Sequence, residues 1–364
     1  MKSKTYLIGL MVCLAIGITT TLRAQSYIVT DLGNVKGMTS IEPAAINDQG
    51  QIAGTASAGE LACAFRYYNR KMGDVGGDNT RGLGISPSGL VVGDFFQAYP
   101  LTTPGHAAIF RGGVPVDLGV LKGQLFSRAN GINAIGQVVG YSGRDLDSSE
   151  SRAFIWTAQT GMIDIGTLGG AHAQANAIND AGYITGTAQI PFKVGMPTHA
   201  FIYQPLSMTE RFTEPMRDLG VLGGFSSYGM AINANNHVAG YSTINAFDGR
   251  VHAFLHNGSK MLDLGSLGAN RWGSDSSTAL GLNNSDQVVG FSYVQLGNVG
   301  IKQAAFLWSH GQMKNLNDML EWNGNGYWIF SATSINDRGQ IVACAYTAKT
   351  GSAVHAVLLT PVVP

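Results

Sequence analysis

The stretch from Gly229 to Gly268 contains four short runs of apolar residues separated by Gly, Asn and Ser, and close variants of it recur along nearly the whole chain. Each run is too short for a helix, and the residues between the runs are typical of strand ends and turns. Asn257-Gly258, between the third and fourth runs, predicts a two-residue hairpin because both residues tolerate positive φ. We therefore interpret the unit as four short antiparallel strands, called a, b, c and d in chain order.

The unit recurs seven times, and three marker positions identify each copy. Strand a ends in a polar residue, found at Asn47, Ser86, Asn133, Asn179, Asn233, Asn283 and Asn336. Strand b carries a small residue, found at Gly54, Gly93, Gly140, Gly186, Gly240, Gly290 and Ala343. Strand c carries His-Ala-Phe or an altered form of it, beginning at Cys63, His106, Arg152, His199, His252, Ala304 and His355. A period of about 50 residues with four strands per unit is typical of propeller blades rather than of a sandwich.

Strand d indicates how the ring closes. Its Asp-Leu-Gly motif or a close variant begins at Asp31, Asp74, Asp117, Asp164, Asp218, Asp263 and Asn315. The first of these precedes the first strand a, and no strand d follows the last strand c. We therefore predict an all-β, seven-bladed propeller of four-stranded antiparallel blades, in which the N-terminal segment Tyr27 to Gly33 completes the seventh blade.

The N-terminus has the pattern of a secretory signal peptide. Lys2 and Lys4 precede an apolar run from Tyr6 to Ile18, and Ala24 ends a plausible cleavage site. The sequence therefore predicts a signal peptide over residues 1–24 and a secreted or periplasmic protein without a transmembrane segment. No change in composition divides the rest, so residues 26–364 are expected to form one domain, and we expect a monomer.

Composition excludes some partners. The formal net charge is zero and 13% of residues are charged, so no basic patch for nucleic acid is expected. Two cysteines follow the signal peptide, Cys63 and Cys344, in blades that a closed ring makes neighbours. A disulfide is possible in an oxidising compartment, although two buried thiols are the favoured reading.

Asn-Asp-x-Gly sequences, such as Asn47 to Gly50, stand between strands a and b. They predict type I turns closed by a glycine bulge. They also resemble pieces of calcium loops but lack the further acidic ligands of a calcium site. We therefore expect neither a metal nor another cofactor.

The His of strand c and the Asp of strand d form a recurrent pair. A two-residue turn at Asn257-Gly258 would place His252 directly opposite Asp263 on the same face of the blade. The predicted pairs are His106 with Asp117, His199 with Asp218, His252 with Asp263, and His355 with Asp31. Such pairs can perform acid–base chemistry or bind metals. Four copies around a ring cannot meet at one site, however, so we interpret them as structural pairs that hold the outer hairpins.

With these motifs in place, the chain resembles the HAF-repeat proteins, a family of predicted extracellular bacterial proteins named for the His-Ala-Phe motif. The motif is complete at His199 and His252, and the resemblance covers essentially all of residues 26–364. The resemblance implies export and a propeller-like repeat domain, with no established activity or catalytic residues to transfer.

Two classes of function remain open. The first is a non-catalytic binding or scaffold protein that recognises an extracellular glycan or peptide through one face of the disc. The second is a glycan-active lyase or glycosidase, which would need two carboxylates on one rim. The segments that join d to a and b to c should share a face, and they contain Lys122, Phe126, Arg128, His172, Phe225, Tyr228, Arg271, Trp272, Asp275, Trp322, Tyr327 and Trp328. Acidic residues are scarce there, Asp78 and Glu321 being further candidates, and this scarcity favours binding.

The candidate ligand-binding residues come from the two longest joins, those that follow the fifth and sixth blades. They are Arg271, Trp272, Glu321, Trp322, Tyr327 and Trp328. Exposed aromatic rings beside charged groups would suit a sugar or an extended peptide. The alternative is that these rings only pack over the top of the channel. No catalytic residue is assigned.

Overall fold

The computed structural model describes residues 25–96, 105–144, 150–191, 196–204, 216–247, 249–268, 275–297, 300–321, 326–347 and 354–362. These residues form seven four-stranded antiparallel sheets, and the predicted seven-bladed propeller is confirmed. The predicted signal peptide over residues 1–24 lies outside the described residues.

Blades one to four follow the repeat in chain order. Strand β1, Tyr27–Asp31, comes first in the chain but belongs to the last blade. Blade one comprises β2 (Ser40–Ile46), β3 (Ile52–Ala58), β4 (Leu61–Tyr68) and β5 (Lys71–Asp78). Blade two comprises β6 (Thr80–Ile85), β7 (Val91–Phe95), β8 (His106–Arg111) and β9 (Val114–Asp117). Blade three comprises β10 (Phe126–Ile132), β11 (Val138–Gly143), β12 (Ser151–Thr157) and β13 (Gly161–Gly166). Blade four comprises β14 (Ala173–Ile178), β15 (Ile184–Gln189), β16 (Thr198–Tyr203) and β17 (Arg217–Asp218).

Blades five to seven complete the ring. Blade five comprises β18 (Ser227–Ile232), β19 (Val238–Thr243), β20 (Val251–His256) and β21 (Met261–Asp263). Blade six comprises β22 (Ser277–Leu282), β23 (Val288–Leu296), β24 (Gly300–Ser309) and β25 (Gln312–Asn315), and a 3₁₀ helix at Leu316–Met319 follows it. Blade seven comprises β26 (Tyr327–Ile335), β27 (Ile341–Thr347), β28 (His355–Pro361) and β1.

Ring closure by the N-terminal strand is also confirmed. β1 pairs antiparallel with β28, from Tyr27 opposite Pro361 to Asp31 opposite Val357. The Tyr27 side chain is fully buried, and Val29 is nearly so. The first and last strands of the chain therefore form one sheet, and their pairing gives β28 a hydrogen-bonded partner on both sides.

The Ala-Phe pair of strand c explains how neighbouring blades pack. Phe201 of blade four is fully buried against Ala153 of blade three, and Phe254 of blade five lies in the same cluster as Ala200 of blade four. Successive residues of a strand point to opposite faces of the sheet. Each phenylalanine therefore fills the gap to the preceding blade, while the alanine beside it leaves room for the next blade's ring. Burying one such ring contributes about 2 to 3 kcal/mol.

The strand-b glycine follows from a bulge in strand a. In blade three the pairing register shifts between Ala129 and Gly131, and this brings the carbonyl oxygen of Arg128 to 1.8 Å from where a Cβ on Gly140 would stand. Only glycine fits at that distance. The exception, Ala343, lies in the blade whose first strand has two register shifts instead of one. The second register shift therefore occurs in the blade where the Ala343 methyl group stands at the position that is glycine in the other blades.

Cys63 and Cys344 are free and buried. Burial, with Asp74 and Asp78 nearby, raises the pKa of Cys63 to about 11. Burial, with Glu42 nearby, raises the pKa of Cys344 to about 12. Both are therefore neutral thiols at ordinary pH, as the favoured reading of the sequence expects.

Candidate functional site

The first strands of the blades surround the axis, since each contacts the first strands of both neighbours. The a–b turns of all blades meet at one end of this channel, which we call the turn mouth. A cavity of about 250 Å³ opens there. It is lined by one aliphatic side chain from each blade, namely Ile46, Ile85, Ile132, Ile178, Ile232, Leu282 and Ile335. We call the opposite end, where the d–a and b–c segments lie, the join mouth.

The strand-a asparagines link neighbouring blades at the turn mouth by hydrogen bonds. Their predicted role in the turn is confirmed, since Asn47 carbonyl accepts from the Gly50 N–H at 2.9 Å and Gly50 has a φ of 76°. In addition, each Nδ2 donates to the backbone carbonyl at the corresponding position of the next blade. The acceptors, from Asn47 onward, are Ser86, Asn179, Asn233, Asn283, Asn336 and Asn47, at 2.9 to 3.2 Å. These bonds span six blade junctions, and sequence reasoning found the turn but missed the link between blades.

The His–Asp pairs lie in the outer hairpins. The Nδ1 to carboxylate distances are 3.0 Å for His106–Asp117, 2.7 Å for His199–Asp218, 2.8 Å for His252–Asp263 and 3.0 Å for His355–Asp31. Since a carboxylate only accepts, each Nδ1 carries the proton. Arg152 contacts Asp164 in the same way at 2.9 Å. Each pair stays within its own blade, so no two of them share a site.

The predicted register of these pairs is wrong. Asp263 lies opposite Phe254 rather than His252, and the hairpin has a four-residue loop closed by the Asn257 N–H to Lys260 carbonyl bond. The Asn257 side chain also accepts from the N–H groups of Ser259 and Lys260, which favours the longer loop. His252 therefore reaches Asp263 diagonally across the two strands.

His252 has a second acidic neighbour, because its Nε2 lies 3.3 Å from Asp275. The hydrogen bond to Asp263 raises the pKa of His252, burial opposes that rise, and the charges of both carboxylates add to it. Burial would raise the pKa of Asp263, but the hydrogen bonds from His252 and from the Gly265 N–H outweigh it and leave that pKa below its usual value. Within the described residues, no group of three or more His, Cys, Asp or Glu side chains is placed to hold a metal ion.

The candidate ligand-binding residues fall into two groups. Arg271, Trp272 and Trp322 lie outside the described residues. Tyr327 and Trp328 were expected in a join, but they begin strand β26. Tyr327 donates from its hydroxyl to Asp31, and burial together with that bond raises its pKa to about 12. Trp328 donates from Nε1 to the Gln303 carbonyl at 2.8 Å.

The Trp328 ring is also covered by blade six. Lys302 Nζ lies 4.1 Å from the Trp328 ring centroid and 4.6 Å from that of Tyr346. An ammonium group over two rings is a cation–π contact, which here holds blade six to blade seven. Tyr327 and Trp328 thus have intramolecular roles, and ligand binding at the six candidates stays a prediction.

Glu321 lines a cavity of about 940 Å³ beside the 3₁₀ helix. Asp318 lines it as well, and the Ser26 hydroxyl donates to Glu321 at 2.5 Å. This cavity lies at the edge of blades six and seven, between the hairpin of β23 and β24 and the start of β1. It is therefore away from the channel mouth, where the enzyme hypothesis places its site.

The join mouth holds a charged cluster from blades two and three. Asp94, which is 3% exposed, accepts from Arg81 through Nε at 2.9 Å and also through Nη2. Arg128, on the first strand of the next blade, donates to the same carboxylate through Nε at 3.0 Å. Each guanidinium also lies over a ring, Arg81 at 4.8 Å from Phe96 and Arg128 at 5.9 Å from Tyr141. The cluster therefore has two positive charges around one buried negative charge.

A cavity of about 150 Å³ adjoins this cluster. Arg81, Asp94, Phe126, Arg128, Tyr141 and Gln174 line it together with Phe96, Gly105 and Ser127. Its residues come from three consecutive blades, two to four. We call these groups the arginine cleft. A site that places guanidinium, phenol and amide groups beside aromatic rings can bind a polar ligand. Among the described residues its one carboxylate, Asp94, already accepts three hydrogen bonds from the two arginines.

Sequence reasoning placed Arg128 and Phe126 on this face but missed Arg81, Asp94 and Tyr141. A signal existed in the repeat itself. The residue opposite the one after the strand-b glycine is Glu42, Arg81, Arg128, Gln174, Tyr228 and Thr278 in the first six blades. In blades two to six the positions on either side of it hold only small residues (Thr, Ser, Ala or Gly), whereas this position varies among Glu, Arg, Gln, Tyr and Thr across the six blades. Variation at a fixed position next to the channel marks it as free of the packing constraint.

The comparisons with known proteins give one partial family match and assign no activity. Residues 223–358 match the family described as Protein of unknown function (DUF3466), a segment that spans blades five to seven and is less than half of the chain. No curated protein matches the sequence. The resemblance to the HAF-repeat family stays a prediction drawn from the motifs.

Two solved structures cover most of the chain at low similarity. One is a gluconolactonase from Xanthomonas campestris, with 11% identity, a TM-score of 0.41, and coverage of 91% of this chain and 100% of that one. The other is a protein of unknown function from Dyadobacter fermentans, with 10% identity, a TM-score of 0.35, and coverage of 93% and 99%. The fold assignment rests on the strand pairing described above. The described residues contain no helix with the length and apolar character that crossing a membrane requires.

Proposed function

We propose that this protein is an exported, non-catalytic binding protein that captures an extracellular ligand, a carbohydrate or a peptide, at its join mouth. In this proposal residues 1–24 are removed on export and residues 26–364 act as a monomeric propeller domain without a cofactor. The arginine cleft is the binding site.

The observation that carries the proposal is the pattern of unused hydrogen-bonding groups in the cleft. Arg128, which lines the cleft, bonds Asp94 through Nε alone, so both of its Nη groups have no acceptor among the described residues. The Tyr141 hydroxyl and the Gln174 amide likewise have no hydrogen-bond partner within the part of the chain that the structure describes. Polar groups gathered in a partly enclosed space with no internal partner favour recognition of an external one.

Exposed apolar side chains support the same face. Leu125 is 59% exposed, Met196 73% and Phe247 98%, and all three lie in d–a or b–c segments of blades three to five. Exposed apolar groups close to a polar cleft are typical of interaction surfaces. They would contact the parts of a ligand that extend beyond the cleft.

Binding is favoured over catalysis by the state of the carboxylate. A glycosidase needs one carboxyl group to protonate the leaving group and a second as nucleophile or base. Asp94 is the one carboxylate that lines the cleft among the described residues, it is buried, and two arginines bind it. The hydrogen bonds from both arginines occupy Asp94, which suits a structural support for the arginines.

The test is a binding screen with a matched pair of variants. The purified protein is screened against glycan and peptide arrays, and every hit is remeasured by calorimetry with Arg128→Gln and with Arg152→Gln. Arg152 is a fair control because its side chain is 29% exposed and binds Asp164 at 2.9 Å, against 30% and 3.0 Å for Arg128. We expect Arg128→Gln to weaken binding and Arg152→Gln to leave it unchanged.

Two outcomes would overturn the proposal. Hits that bind both variants as tightly as the native protein would place the site outside the arginine cleft. Cleavage of a bound glycan during incubation, detected by mass spectrometry, would support the glycan-active enzyme instead.

A further inference from the structure

Among the described residues, the charge of the arginine cleft is not balanced. Arg81 alone can neutralise Asp94, because it donates to both carboxylate oxygens in the fork geometry of an Arg–carboxylate pair. Arg128 adds a second positive charge and uses only its Nε on the same carboxylate. Glu42 occupies the corresponding position of blade one, yet it neither lines the cleft nor pairs with either arginine. Within the part of the chain that the structure describes, one guanidinium charge is thus left without a counterion.

The free part of Arg128 has a defined shape. Its two Nη groups are coplanar donors, and the side chain is fixed by its Nε bond to the buried Asp94 and by the Tyr141 ring at 5.9 Å. Two parallel N–H donors match the two oxygens of a carboxylate. The cation is only 30% exposed, so a bidentate anion would replace lost hydration with direct bonds.

The rest of the cleft is neutral and partly aromatic. The Tyr141 hydroxyl can both donate and accept, and the Gln174 amide offers two donors and one acceptor. The Phe126 ring meets the Tyr141 ring edge-on at 6.0 Å and gives the wall a flat apolar surface. Hydroxyl groups on a rigid ring would meet these neutral polar groups, while the C–H face of that ring would meet the aromatic wall.

Resting on the binding function proposed above, we propose that the ligand of the arginine cleft is an acidic carbohydrate, with the carboxylate of one uronate residue held by Arg128. The hydroxyls of that residue contact Tyr141 and Gln174, and its apolar face lies against Phe126. A space of about 150 Å³ suits a single monosaccharide unit, with the remaining units of the glycan over the exposed apolar side chains.

The test measures affinity by calorimetry for trigalacturonate and for its carboxyl-reduced neutral counterpart, at low and moderate salt. We expect trigalacturonate to bind at least tenfold more tightly, with the advantage shrinking as salt rises. Arg128→Gln should remove about tenfold to a hundredfold of that affinity, the range of a charged hydrogen bond. Tyr141→Phe should cost a few fold, and Arg152→Gln should change nothing. Thermal melts of each variant establish that it is folded.

The outcomes separate this inference from the proposed function. If a neutral glycan or a peptide carboxylate binds better than trigalacturonate and Arg128→Gln abolishes that binding, the acidic-sugar inference is wrong and the binding function stands. If inorganic phosphate or sulfate competes as well as trigalacturonate, the cleft recognises an anion and not a sugar acid, and the inference is again wrong. If no probe responds to Arg128→Gln in a folded protein, both fall.

Discussion

The two mouths of the channel are built from the same strands but follow opposite rules. At the turn mouth every blade contributes an aliphatic residue, and six blades bond the next through the same asparagine. At the join mouth, the strand-a position opposite the residue after the strand-b glycine varies across the first six blades, with Arg81 and Arg128 among its residues. Repetition marks the end that holds the ring together, and departure from the repeat marks the end that is free to bind.

The largest expected effect tests whether the ring holds as a closed whole. Deleting residues 26–33 removes β1, exposes the β28 edge, and takes away the buried Tyr27, Val29 and Leu32 side chains. That loss is on the order of 5 kcal/mol, close to the whole stability of a typical domain. We expect aggregation or loss of the cooperative melt, measured by size-exclusion chromatography and calorimetry.

The matched control for this truncation is Ile28→Ser, because the Ile28 side chain is 51% exposed and its change leaves the backbone pairing intact. It should melt nearly as the native protein does. A truncated chain that stays monomeric and melts at the native temperature would show that the seventh blade needs no fourth strand.

A smaller effect is expected when one member of the asparagine ring is removed. Asn283 is 3% exposed, its Oδ1 accepts from the N–H groups of Ser285 and Gln287, and its Nδ2 donates to the Asn336 carbonyl at 3.1 Å. Asn283→Ala should cost about 2 to 4 kcal/mol, because several buried groups lose their partners together. Chemical denaturation measures the change, and ligand binding by the folded protein should be unaffected.

Blade two supplies the control for this ring. There Ser86 replaces the asparagine, and its Oγ still accepts the Leu90 N–H at 3.0 Å, which keeps the turn but not the link to the next blade. Asn283→Ser should therefore lose less stability than Asn283→Ala. Equal losses in the two variants would show that the link between blades, not the turn, is what the asparagine supplies.

The arginine cleft should respond in the opposite way. Arg128→Gln should change the free energy of unfolding by about 1 kcal/mol or less, since the guanidinium is partly exposed and Asp94 keeps Arg81. Its binding, in contrast, should fall as described above. If Arg128→Gln destabilises the protein as much as Asn283→Ala does, the cluster is a clamp between blades two and three and the contrast between the mouths disappears.

The fold could be predicted from the sequence because each repeat reports the same constraint. Gly140 stands where a bulge brings a carbonyl too close for a side chain, and Ala153 stands where the next blade's phenylalanine needs room. Such positions repeat because the geometry repeats. Because one strand d precedes the first blade and none follows the last strand c, the sequence also predicts ring closure by Tyr27 to Gly33.

The candidate site could be predicted only in part, because its contacts do not repeat. The sequence spacing of Arg81, Asp94 and Arg128 does not predict that they are in contact, because Arg128 comes from a different blade. Tyr327 was assigned to a join because the sequence does not reveal that two bulges accompany a nine-residue first strand in the last blade. Side-chain bonds that cross between blades depend on ring geometry, which becomes visible only in the folded protein.

The smallest expected effect concerns the outer pairs, which repeat as the turn mouth does but lie nearer to solvent. The pKa of His252 is raised, and its hydrogen bond to Asp263 is the largest cause. A raised folded pKa stabilises the protein fully below the unfolded value of about 6.5 and loses that contribution as pH rises through the folded value. Asp263, whose folded pKa is lowered, contributes above its unfolded value and loses its contribution as pH falls through the folded one.

The pair should therefore matter most between about pH 4 and pH 6.5. His252→Gln should cost about 1 kcal/mol at pH 5.5 and less at pH 9, a modest figure because Asp263 is 46% exposed and solvent screens the contact. Chemical denaturation at pH 5.5, 7 and 9 measures the difference, with His106→Gln, whose more exposed pair should matter less, as the comparison. A loss that stays flat or grows toward pH 9 would contradict a pair that is strongest when the imidazole is charged. Loss of ligand binding in a folded His252→Gln protein would move function from the join mouth to the outer hairpins.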